Sequence, residues 1–173
     1  MKLKTLFALL VAVVAAAVGG GLILVGQNQP DSEAFAVNVT TLWRGDVWGP
    51  LGSEQVGVAL VWSPLYAGAG HTSVVALTAN GCVITESLYA AKRFGSSAIP
   101  FWATAIFPIT VKGVIREDDP ILQRWKGEVM VSKVKVVSRN AWEHRYSSVD
   151  DYSMWYNNCK DFSRKVMESI FQV

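Results

Sequence analysis

Apolar positions near the C-terminus recur at helical spacing. Counting from Cys159, they fall at Phe162, Val166, Ile170 and Val173, one stripe of a helix with Cys159 at its head. Asn158 before it is a favoured N-cap, and Asp161 three residues later completes a short relative of the capping box. Elsewhere the spacing is that of strands. Residues 70–77 and 82–88 are rich in Val, Ile, Leu and Thr, and Asn80-Gly81 between them is a hairpin signal. Residues 56–62 predict a further strand. Residues 128–131 and 134–137 are strand material whose apolar parity shifts near Ser132, which predicts a bulge there or two short strands. Residues 148–155 read as a helix or turn that delivers the chain to Cys159. The pattern as a whole is that of an α+β domain.

The N-terminus is different. Lys2 and Lys4 precede an uncharged apolar run over residues 6–25, about the length that spans a bilayer. Asp31 and Glu33 follow it, so the positive-inside bias leaves the N-terminus cytoplasmic and the remaining chain across the membrane. An uncleaved signal-anchor over residues 1–26 is the favoured reading. A cleaved signal peptide, giving a secreted protein, is the other. Residues 27–40, with Pro30, then form a polar linker, and residues 41–173 the domain. A second apolar stretch, residues 98–109, carries Pro100 and Pro108 and is too short for a comfortable span. It reads as a buried strand or insertion, or as a lipid-dipping or acyl-binding surface.

Sixteen Lys and Arg against fourteen Asp and Glu leave a net charge of +2, with no basic run, so nucleic acid is not an expected partner. Two Cys and two His are too scattered for a zinc site, and the triplet Gly19-Gly20-Gly21 lies inside the apolar run rather than in a phosphate loop. No metal or cofactor is expected.

The candidate chemistry lies in one Cys and one His. A thiol in the first helical turn faces the positive end of the helix dipole, which favours the nucleophilic thiolate. Lys160 acts in the same direction and Asp161 against it. His71 opens the first strand of the hairpin, and thiol hydrolases of the papain type pair a helix-head Cys with a strand-borne His. Two residues are candidates to orient His71. A two-residue turn at Asn80-Gly81 puts Glu86 on the His71 face; a three-residue loop reverses the parity and puts Thr85 there. Glu86 is chemically the better orienter, because a carboxylate holds the imidazole tautomer and stabilises imidazolium. His144 and Cys82 read as ordinary surface and strand residues.

The run Tyr152-Ser153-x-x-x-Asn157-Asn158-Cys159-x-x-Phe162, with an upstream His opening a strand–turn–strand, resembles the lecithin:retinol acyltransferase-like family. That family belongs to the permuted, NlpC-type branch of the papain-like superfamily. The resemblance covers residues 70–173 and is dense only around His71 and residues 152–162. Lys160-Asp161 stands where the family has Glu-His, and neither Thr85 nor Glu86 is the second His that members often carry. The resemblance implies a permuted papain-like fold, an antiparallel sheet packed on the Cys-headed helix. It also implies a membrane-associated or exported thiol hydrolase or acyltransferase acting on lipid ester or amide acyl groups through a thioester. A cysteine peptidase or peptidoglycan amidase of the same superfamily, and a non-catalytic domain that kept the fold, are the alternatives. The expected catalytic residues are Cys159, His71 and Glu86; the expected partners are a lipid or acyl substrate and the membrane.

Overall fold

The computed structural model describes residues 29–65, 70–91, 110–149 and 151–172. The expected N-terminal anchor and the apolar stretch 98–109 lie outside them. Among the described residues, no helix is long and apolar enough to cross a membrane.

The fold is α+β: a six-stranded antiparallel sheet with a helix at the C-terminal end of the chain. In chain order the strands are β1 (Phe35–Asn38), β2 (Gln55–Pro64), β3 (Gly70–Thr78), β4 (Val83–Ala90), β5 (Gly113–Arg116) and β6 (Glu128–Ser138). Their order across the sheet is β1-β6-β2-β3-β4-β5. Among the described residues four helices accompany them: α1 (Val39–Arg44), α2 (Pro120–Arg124), α3 (Arg139–Glu143) and α4 (Cys159–Phe171). Residues 35–40, expected as linker, belong to the domain instead. β1 pairs with β6 through Val37↔Val129, and Val37, Val39 and Leu42 are buried. The linker reading missed them because a four-residue strand at a sheet edge leaves almost no periodic signature.

Alternation along β2 and β3 sorts the core into two layers, because successive side chains point to opposite faces. Val56, Val58, Leu60, Val74 and Ala76 share one cluster with Phe162, Val166, Met167 and Ile170 of α4. Ala59, Val61 and Val75 share the other with Leu42 of α1 and Leu122 of α2. Helix α4 therefore covers one face and the two short helices cover the other. Each large side chain that α4 buries stabilises by roughly 1.5–3 kcal/mol, and this burial fixes the helix and its head on the sheet. The expected parity shift near Ser132 is a bulge within one continuous strand. The β2–β6 register slips between Val58↔Lys135 and Leu60↔Ser132, and Lys133 takes a positive φ of 52°.

The hairpin turns on three residues, not two. Thr78 N–H donates to Cys82 O (3.0 Å), and Gly81 sits at φ 78°, the left-handed position such loops require. The resulting register pairs Val75 with Thr85 and Val74 with Glu86. Thr85 shares the face of His71, Ser73 and Val75, while Glu86 points to the face that α4 covers.

Candidate active site

The head of α4 is built as a capping box. Asn158 Oδ1 accepts from the Lys160 (2.9 Å) and Asp161 (3.3 Å) amides, and Asp161 Oδ2 accepts from Asn158 N (3.3 Å). This holds Cys159 at the first position of the helix, buried, against the start of β3. Ser163, one turn on, donates its hydroxyl to Thr72 O (3.3 Å) and fastens the same turn to the same strand. The Cys159 sulfur accepts from the backbone amides of Thr72 and Lys160 and is hydrogen-bonded to the His71 side chain. The structure thus brings together the two residues that the sequence singled out, 88 positions apart (159 − 71).

His71 is buried between two groups. Its Nε2 lies 2.8 Å from Asp119 Oδ2 and 2.9 Å from the Tyr89 hydroxyl, which leaves Nδ1 for the sulfur. Tyr89 stands across from His71 in the extended β3–β4 register, and its hydroxyl also donates to Asp119 Oδ1. Asp119 is the N-cap of α2. Its Oδ1 accepts from the Ile121 (2.9 Å) and Leu122 (3.1 Å) amides, Ser73 donates its hydroxyl to Oδ2, and the Asp119 amide donates to Thr85 Oγ1 (2.8 Å). The carboxylate is fully buried and held from three elements, β3, β4 and α2. Because α2 lies on the face opposite α4, the imidazole links a thiol from one layer to a carboxylate from the other.

The electrostatics follow from this arrangement. Burial opposes charge on Cys159, but the positive charge and hydrogen bond of His71, with the Thr72 and Lys160 amides, bring the thiol below its ordinary pKa. Burial likewise opposes the imidazolium, and the Cys159 charge and the Asp119 hydrogen bond outweigh it, raising His71 to about 10. Burial also opposes charge on Asp119, yet His71, Ser73 and Tyr89 hold its carboxyl well below the usual carboxylate range. Burial, and next the hydrogen bond to Asp119, push Tyr89 far up, so it stays a neutral donor. The lowered thiol and raised imidazole both favour a thiolate–imidazolium pair beside an ionised Asp119.

Glu86 is not the orienter. The three-residue loop puts it on the other face, where Arg145 Nε donates to Oε2 (2.8 Å) and Arg145 Nη2 to Oε1. It anchors the chain after α3, and Arg145 also stacks over Trp142, 4.0 Å from the ring centroid. Thr85, the residue that the longer loop was expected to bring round, acts on Asp119 rather than on His71. The sequence reading missed Asp119 and Tyr89. Asp119-Pro120 did carry a signal, an N-cap residue followed by Pro at N1, but that signal locates a helix start and not a partner 48 residues upstream.

Tyr152 is buried close enough to Cys159 that burial and the thiolate charge together raise its pKa, while Tyr156 is exposed. His144 is exposed at the end of α3, with Nδ1 2.9 Å from Asn140 O. Cys82 is exposed, and both cysteines are free, so no disulfide blocks Cys159. Among the described residues no cluster of His, Cys, Asp and Glu could hold a metal ion.

The start of β3 tolerates no side chain beside His71. A Cβ on Gly70 would lie 1.7 Å from Trp62 Nε1, so the indole covers that glycine. Gly70→Ala is therefore expected to displace either Trp62 or the strand end, at a cost of about 1–3 kcal/mol. The urea midpoint should fall and Cys159 alkylation at neutral pH should slow. Unchanged values for both would show that the strand start does not set the position of His71.

Comparison with family models, with curated proteins and with solved structures finds no match to this chain.

Proposed function

We propose that the chain is a thiol hydrolase or acyltransferase of permuted papain-like build, membrane-associated or exported, acting on ester or amide acyl groups, with lipids as the substrate class. The observation that carries this reading is the His71 imidazole, hydrogen-bonded to Cys159 on one side and to Asp119 on the other. The order of the chain, sheet with His first and Cys-headed helix last, is the permuted order. The apolar run over residues 6–25 favours work at a membrane, on its non-cytoplasmic side.

In this mechanism the Cys159 thiolate attacks the acyl carbonyl carbon and a C–S bond forms. The C–O or C–N bond to the leaving group breaks as the His71 imidazolium gives it a proton. Water or an alcohol then adds to the thioester while neutral His71 takes its proton, and the C–S bond breaks to restore the thiolate. Asp119 stays ionised and holds Nε2–H throughout, the orienting role of a triad carboxylate. One observation favours the amidase alternative. A groove of about 560 Å³ carries the charged side chains of Glu86, Arg116, Glu117, Asp118 and Arg145 beside Ile115 and Val149, a mixed lining that suits a peptide or glycopeptide substrate.

Incubation with a phosphatidylcholine is expected to leave a hydroxylamine-sensitive acyl mass on Cys159. The rate should rise with pH through the depressed thiol pKa and fall as His71 loses its proton near about 10. Cleavage of a peptidoglycan fragment without lipid acylation would transfer the assignment to the amidase. Activity that survives in Cys159→Ala would end both.

A further inference from the structure

Beside the nucleophile lies a small cavity that the mechanism above does not use. It is enclosed by Leu60 and Trp62 of β2, Thr72 of β3, Met130 of β6, Lys160 of α4 and the chain before β1. Cys159 and His71 do not line it, but their chain neighbours Lys160 and Thr72 do. Its open core is about 10 Å³, room for about one water molecule or one methyl group.

Two observations mark it as a ligand site. The first is Thr72. Its hydroxyl is buried and has no hydrogen-bond partner among the described residues, although Thr72 O accepts from Ser87 (2.8 Å) and Ser163 (3.3 Å) and its N–H reaches the Cys159 sulfur. Buried polar groups are almost always satisfied, and leaving one unpaired costs about 1–3 kcal/mol. A donor left free next to a nucleophile is one that a substrate atom can satisfy. The second is the wall formed by residues 29–34. It belongs to no strand or helix and is tied down by three polar contacts: Lys160 Nζ to Gln29 O (3.0 Å), Ser132 Oγ to Asp31 Oδ2 (3.3 Å) and Lys133 Nζ to Asp31 Oδ2 (3.8 Å). Such contacts on a half-exposed segment hold weakly.

We propose that this cavity is the acyl subsite of the Cys159 centre, that the Thr72 hydroxyl donates to the substrate carbonyl oxygen, and that residues 29–34 limit the length of acyl chain admitted. The inference rests on the acyl-transfer reading of the same site. With the strap in place the cavity takes the methyl of an acetyl group. Longer chains extend between Trp62, Leu60 and Met130 once the strap lifts. As negative charge develops on the carbonyl oxygen during attack, the Thr72 hydroxyl bond strengthens, which is the condition for a contact to accelerate the reaction.

The test uses p-nitrophenyl acetate, butyrate and octanoate with the wild type, Thr72→Val and Asp31→Ala, alongside Cys159 alkylation by iodoacetamide and by N-octyl iodoacetamide. Thr72→Val should lose about 10²-fold in kcat/KM for acetate, because one oxyanion donor is removed. It should keep its iodoacetamide rate and a thermal midpoint no lower than that of the wild type, since it removes an unpaired hydroxyl. Asp31→Ala should raise the octanoate-to-acetate ratio about fivefold, and the octyl-to-simple iodoacetamide ratio likewise. Full acetate turnover in Thr72→Val, or ratios that do not move in Asp31→Ala, would overturn the inference. If no ester acylates Cys159 in any protein, the acyl-transfer reading fails. The alkylation ratio then judges the strap and cavity by itself, an unmoved ratio overturning them.

Discussion

With His71 replaced by Ala, kcat/KM toward any acyl substrate is expected to fall by at least about 10³-fold, the combined loss of thiolate formation and of general acid–base transfer. The reason is the balance of forces on Cys159. Burial opposes the thiolate, and what overcomes burial is chiefly the charge and hydrogen bond of His71. Without the imidazole the thiol is left in a buried site with only the Thr72 and Lys160 amides in its favour. Its pKa should return to or above the ordinary value near 9, so that neutral-pH alkylation slows as well. Cys159→Ala should abolish turnover, and the double variant should be little worse than either single one, because the two side chains act as one unit. The fold should survive His71→Ala, since the sheet pairing on both sides of His71 is made by backbone groups.

The second large effect belongs to Asp119. Asp119→Ala removes the acceptor for His71, Ser73 and Tyr89, and for two amides at the start of α2. Loss of the N-cap costs about 1 kcal/mol, and each buried donor left unpaired adds about 1–3 kcal/mol, so this variant should be the less stable by several kcal/mol. Asp119→Asn separates the two roles. It keeps a capping oxygen but not the charge that stabilises imidazolium, so it should fold far better than the Ala variant while kcat/KM falls by about 10²–10⁴-fold. Glu86 supplies the contrast. Glu86→Ala removes the main partner of Arg145, which keeps Glu117 (3.8 Å) and Trp142 O (3.1 Å), and is expected to cost about 1–3 kcal/mol, with Cys159 alkylation unchanged in the folded protein. Slow alkylation in Glu86→Ala, or normal alkylation in Asp119→Asn, would reverse the assignment of the two carboxylates.

The difference between these two carboxylates shows what the sequence could and could not reveal. Cys159 and His71 were legible because each is marked by its own element: a helix head with its cap, and the opening of a hairpin strand. Those signals are local and survive without knowledge of the tertiary fold. The Glu86 assignment hung on parity, and parity hung on whether Asn80-Gly81 closed a loop of two residues or three. One extra residue moves every side chain of β4 to the other face. Asp119 was out of reach for a different reason. It sits before a helix of only five residues and meets His71 through a contact between two layers of the fold, which no periodicity encodes. Tyr89, four residues past Thr85 on the same face, follows at once from the corrected register.

The central claim is that Cys159, His71 and Asp119 form a charged relay at rest, and the ultraviolet absorbance of the thiolate reads that state directly. The spectrum of the wild type minus that of Cys159→Ala should be followed across the pH range, and repeated with His71→Ala in both. A thiolate midpoint below the ordinary value of 9 in the wild type, moved upward in His71→Ala, is the predicted result. A wild-type midpoint at or above 9, or one that His71→Ala leaves in place, would contradict it.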